Sequence, residues 1–71
     1  MKLEYNVHFN GTERCVAFEE EPEEFENQLL EALSAKNSLI KVKDIFGRDA
    51  YFNPRSISFI RTYKTEEDEN A

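Results

Sequence analysis

Seventy-one residues admit one hydrophobic core, and a chain this short buries only about 60% of the surface it exposes when unfolded, so six Phe and three Tyr must carry most of the packing. One cysteine excludes an intrachain disulfide, and a single Cys with a single His excludes a zinc-type ligand set, so nothing covalent or metallic supplements that core. The formal charge of -6 is unevenly spread: residues 1–35 carry nine glutamates against Lys2 and Arg14, residues 36–64 carry seven cations against Asp44 and Asp49, and four acids follow Lys64.

No apolar run approaches the roughly 18 residues of a membrane span, and Met1 to Asn6 holds no continuous apolar stretch of the signal-peptide kind. A cytoplasmic protein is expected. Asn10-Gly11-Thr12 fits a glycosylation sequon but reads as a turn in that setting.

Leu3, Tyr5, Val7 and Phe9 alternate with Glu4, Asn6 and His8, the period of a half-buried strand. Asn10-Gly11 favours a two-residue hairpin loop, which pairs Tyr5 with Val16, Leu3 with Phe18, His8 with Glu13 and Lys2 with Glu19. A four-residue loop keeps the same faces and changes the partners. Pro22 amid acids marks a helix start favoured by the macrodipole. The helix is expected to reach about Lys36, with Asn37 closing it and Phe25, Leu29, Leu30, Ala32 and Leu33 lying on a sheet.

Strand character returns over residues 38–46, with Ile40 and Val42 opposite in face to Lys41 and Lys43. Gly47 marks a turn into Ala50-Tyr51-Phe52, whose faces stay open because two- and three-residue loops are both compatible. Asn53-Pro54 interrupts the strand, since proline has no amide hydrogen to give a ladder. Ile57 and Phe59 then alternate with Ser56 and Ser58 and lead into Ile60 to Tyr63. The expected fold is a small single α+β domain over residues 1–64, ββαββ, with one helix on one face of an antiparallel four-stranded sheet. Residues 65–71 are expected to form a disordered acidic tail.

After the strand Leu39-Ile40-Lys41-Val42, the spacing of Gly47, Asn53-Pro54, Ile57 and Ile60 resembles the start of the small flagellar proteins of the FlbD family. The likeness covers about a third of the chain and assigns no function to it.

No residue set points to catalysis. Cys15 and His8 are the only nucleophile and base within reach, on an outer sheet face where neither a third orienting group nor an oxyanion site is evident. The carboxylates of Glu19 to Glu26 match no metal-loop spacing and suit a helix start. No enzyme activity, cofactor, metal or small-molecule substrate is expected.

The expected function is therefore that of a regulatory or adaptor module that binds another protein or a second copy of itself. Lys41, Lys43, Arg55, Arg61 and Tyr63 are expected to form a basic contact surface, and Glu20, Glu23 and Glu24 an acidic one. Two alternatives compete: single-stranded nucleic-acid binding by the basic second hairpin, where cations interleave with Tyr51, Phe52 and Tyr63, and an acidic mimic or inhibitor that offers its helix and tail to a basic protein partner.

Overall fold

A computed structural model of the protein describes residues 1–35 and 38–65. It is an α+β domain with one helix and antiparallel strands: β1 (Leu3–Phe9), β2 (Cys15–Glu20), α1 (Pro22–Ser34), β3 (Ile40–Lys43), β4 (Asp49–Phe52) and β5 (Ile57–Lys64). β1 lies between β2 and β5 in a three-stranded sheet, and β3 pairs with β4. The chain thus forms five strands in two sheets rather than the four-stranded ββαββ sheet expected from sequence. The reason is Pro54. It stands in a 3-10 turn, Pro54–Ser56, capped by the Asn53 side chain, whose Oδ1 accepts from the Arg55 amide at 2.9 Å. The turn separates two strands that pair with different partners, β4 with β3 and β5 with β1.

The first hairpin closes with the longer of its two loops. Tyr5 pairs with Phe18, Val7 with Val16 and His8 with Cys15, so residues 10–14 connect the strands and every partner shifts by two residues. His8 does not face Glu13, and Lys2 does not face Glu19. A two-residue slip preserves the faces, so the inward set of Leu3, Tyr5, Val7 and Phe9 stands.

In the second hairpin Gly47 takes a left-handed φ of 83°, and Asp44 organises the turn, its Oδ1 accepting from the amides of Phe46 and Arg48, each at 2.9 Å. That is a three-residue loop closed by a left-handed glycine. It sets Ile40 against Phe52 and Val42 against Ala50 on the inner face, and Lys41 against Tyr51 and Lys43 against Asp49 on the outer one. Asp44 also bridges Phe18, and the Ile45 amide donates to the Ala17 carbonyl at 2.9 Å, so the turn covers the free edge of β2.

Between β1 and β5 the register shifts: His8 pairs with Phe59, yet Phe9 pairs with Ile57. Ser58 is the extra residue of a bulge. Ile57 and Phe59, expected on one face, therefore lie on opposite faces, with Ile57 packed on the core and Phe59 exposed.

The core is a ring cluster. Phe18 is fully buried, and its ring stands 5.5 Å from Tyr5, 5.1 Å from Phe25 and 6.3 Å from Phe52. Val7, Ala32, Ile40 and Val42 complete it. The helix opens on Pro22 with Glu23 and Glu24 in its first turn, as its sequence dictates. It buries Phe25 and Ala32 and half-buries Leu29, but Leu30 is 62% exposed and Leu33 45%. A stripe of five apolar positions is broader than the contact one helix makes with this sheet. The expectations for Lys36 and Asn37 lie outside the described residues, as does the acidic segment 66–71. Thr65, assigned to the tail from sequence, is buried. Among the described residues no helix is long and apolar enough to cross a membrane.

Replacing Phe18 by Ala is expected to cost about 3–5 kcal/mol, most of the stability of so small a domain, whereas Phe46→Ala, at an exposed ring, should change it by less than about 0.5 kcal/mol. Urea denaturation followed by far-UV circular dichroism measures both. The Asp44 carboxyl is held below its ordinary range, first by the Arg48 amide, then by the Phe46 amide and the Arg48 guanidinium. A depressed folded pKa contributes stability above the unfolded value, about 3.9, and loses it as pH falls through the lower folded value. The difference in urea midpoint between the native chain and Asp44→Asn should therefore shrink as pH is taken below about 4.

Candidate protein-interaction surface

Among the described residues the two sheets leave one long free edge. β2 is covered by the Asp44 turn, and β4 is only four residues long. β5, eight residues, pairs with β1 on one side and carries no strand on the other. Short strands, prolines and central lysines normally blunt such edges. β5 contains no proline and is long, though it carries a bulge at Ser58 near one end, Arg61 near its middle and Lys64 at the other end.

Above this edge, on the outer face, stand Phe59, Arg61 and Tyr63, set opposite His8, Asn6 and Glu4. The imidazole of His8 stacks on Phe59 with ring centres 4.3 Å apart and planes 10° from parallel. The Arg61 guanidinium lies 5.5 Å from the same ring. Phe59 and Tyr63 remain 46% and 48% exposed, so rigid aromatic surface is presented to solvent at the strand edge.

On the inner face the helix does not reach across β5. A groove of about 350 Å³ separates them, lined by Tyr5, Phe25, Leu29 and Ile60 together with Glu23 and Glu26. Burial, and then the charges of Glu20, Glu26 and Glu21, push the Tyr5 hydroxyl up from its ordinary range. Leu30 and Leu33 follow Glu26 by four and seven residues and continue the same side of the helix.

The residues expected to form one basic surface are not brought together. Arg61 and Tyr63 share the outer face of β5, but β1 and β2 separate them from β3. Lys41 lies over Tyr51 at 5.9 Å, and Lys43 pairs with Asp49 at 3.3 Å. Arg55 is a structural cation: its Nη2 donates to the Leu33 carbonyl at 2.7 Å and its Nη1 to that of Ala35 at 3.4 Å. The last turn of α1 carries no basic residue, so Arg55 satisfies the end carbonyls and opposes the helix dipole from outside the helix. Of the acidic set, Glu23 reaches the groove, Glu24 is exposed in the first turn, and the Glu20 carboxylate accepts from the Glu21 amide at 2.9 Å.

Sequence reasoning missed Phe59, Leu30, Leu33 and the groove. Phe59 was legible in part, because adjacent Phe59 and Ile60 cannot both face inward on an extended strand.

Charge on the outer face is balanced. Arg61, Lys41 and Lys43 are matched by Glu4, Glu19 and Asp49, which is not the one-signed track a phosphate backbone follows. Cys15 is exposed directly opposite His8, but the His8 ring is engaged with Phe59. Among the described residues no group of three or more His, Cys, Asp or Glu side chains is placed to hold a metal ion.

No family model matches the chain, no curated protein is significantly similar to it, and no solved structure matches it. The FlbD likeness of residues 39–60 rests on those residues alone.

Arg55→Ala is expected to lower stability by about 1 kcal/mol, through two lost charge-assisted hydrogen bonds at an exposed site. Faster amide exchange in the last turn of α1, with the β1 amides unchanged, would identify the helix end as the place of the loss.

Proposed function

We propose that this chain is a non-enzymatic protein-interaction module that takes up an extended polypeptide along β5. The observation that carries the reading is the eight-residue free edge of β5 flanked on both faces by contact surface, Phe59, Arg61 and Tyr63 on one and the apolar groove on the other. An added strand satisfies the free backbone groups, while alternate side chains enter the groove or lie against the aromatic face. Backbone bonding supplies affinity, and the side-chain contacts supply selectivity.

One observation favours a second reading, nucleic-acid binding: a cation lies over each of three exposed aromatics, Lys41 on Tyr51, Arg48 on Phe46 and Arg61 on Phe59. The balanced charge of the outer face weighs against it.

The test is a ¹⁵N–¹H correlation spectrum of the full chain, titrated with extended peptides selected for binding from a displayed library and, separately, with single-stranded DNA and RNA at low and physiological salt. The expected result is peptide-induced shifts along residues 57–64, abolished by Phe59→Ser with Tyr63→Ser, and no shifts with oligonucleotides. Salt-sensitive oligonucleotide shifts at Lys41, Tyr51, Phe59 and Arg61 would replace the reading with nucleic-acid binding. Failure of any selected peptide to move β5 would overturn it.

A further inference from the structure

Resting on that reading, we infer that the polypeptide taken up along β5 is a segment in which an aliphatic residue and a Lys or Arg stand two residues apart, the first filling the groove opposite Ile60 and the second, opposite Thr62, meeting Glu23 and Glu26. Residues directly opposed on neighbouring strands share a face. Ile60 and Thr62 pair with Val7 and Tyr5 of the inward set, so the positions across from them on an added strand both point to the helix side. The first meets Phe25, Leu29 and Ile60, the apolar part of the lining. The second lies toward the start of α1, because helix and strand run in opposite directions: Arg55, just before β5, binds the carbonyls of Leu33 and Ala35 at the helix end, whereas Glu20, just before the helix, pairs with Leu3, whose other neighbour is Lys64 at the far end of β5.

Charge complementarity sets the chemistry of the occupant. The charged residues that line the groove are Glu23 and Glu26, both acidic, and among the described residues neither is in an ion pair, while Glu21 beside them is taken up by the Met1 ammonium at 3.0 Å. Lys64 lies two positions beyond Thr62, outside the lining, and four acids follow it in sequence. A side chain that joins an apolar stem to a cation suits a cleft of aliphatic and aromatic walls with carboxylates at one end. An acidic residue in the same place is repelled. The outer face has the opposite preference: the position between the two, across from Arg61, meets a guanidinium that lies 5.5 Å from the Phe59 ring, and a cation there opposes a like charge. The strand therefore accepts a cation at one position and rejects it at the next, which the general attraction of an acidic protein for a basic one does not do.

The full chain is used to select from a displayed library of short random peptides, and its amide spectrum is recorded with those selected. The expected sequences carry Lys or Arg two residues from an aliphatic residue, with no cation between them, and move residues 57–64. Replacing that Lys or Arg by norleucine, which keeps the apolar stem and removes the charge, is expected to weaken binding about tenfold, and Glu23→Gln with Glu26→Gln in the protein to do the same. Both glutamates are exposed, and the spectrum of the unbound variant verifies that the fold is kept. Selected peptides that move β5 without this spacing, or that bind equally well with norleucine, overturn the inference and leave the interaction-module reading standing. A loss with norleucine but none with the glutamine pair also overturns it, because the cation is then held elsewhere. Peptides that move no residue of β5 overturn both.

Discussion

Everything in this fold is positioned by the burial of Phe18. Its ring meets Tyr5 from the neighbouring strand, Phe25 from the helix and Phe52 from the second hairpin, so one side chain touches all the layers of the domain. Its backbone makes the same join, bridging Asp44 and thereby fastening the second hairpin to the edge of β2. In a domain with no disulfide, packed rings at 5 to 6 Å are the main source of cohesion, and their geometry fixes where the helix lies. The helix is drawn over the side of the sheet where β2 meets the hairpin. It leaves a groove beside Ile60 of β5.

That displacement accounts for the surface chemistry. Had α1 been centred over β1, Leu29 and Leu33 would have covered Ile60 and no groove would separate helix from strand. As built, Phe25 and Leu29 wall one side of the groove and Ile60 the other. Arg55 then holds the helix end against the turn that leads into β5, which keeps the two elements at a fixed separation rather than letting the helix slide across. The Ser58 bulge acts on the opposite face, turning Phe59 outward where His8 stacks on it. A free edge between an apolar groove and an aromatic face follows from the placement of the ring core and one extra residue.

Much of this was legible in the sequence, and the failures have specific causes. The alternation of Leu3 to Phe9 and the Pro22 helix start were read correctly because one local rule decides each. The pairing of the first hairpin was not, because Asn10-Gly11 serves a four-residue loop as well as a two-residue one, and only the meeting of Tyr5, Phe18 and Phe25 in three dimensions selects between them. The strand count failed at Pro54, where a break was seen but its consequence, a change of pairing partner, was not. Arg55 was grouped with surface cations because its partners are main-chain carbonyls 20 and 22 residues away, which leave no trace in composition or spacing.

The exposed apolar residues are best understood as a consequence of size. A chain of 71 residues has too small an interior for all of its aliphatic and aromatic side chains, and Leu30, Leu33, Leu39, Ile45, Phe46, Tyr51, Phe59 and Tyr63 are among those left outside. Scattered over the surface they would require no explanation. Leu30, Leu33, Phe59 and Tyr63 lie toward β5, whereas Leu39, Ile45, Phe46 and Tyr51 lie on or beside the second hairpin.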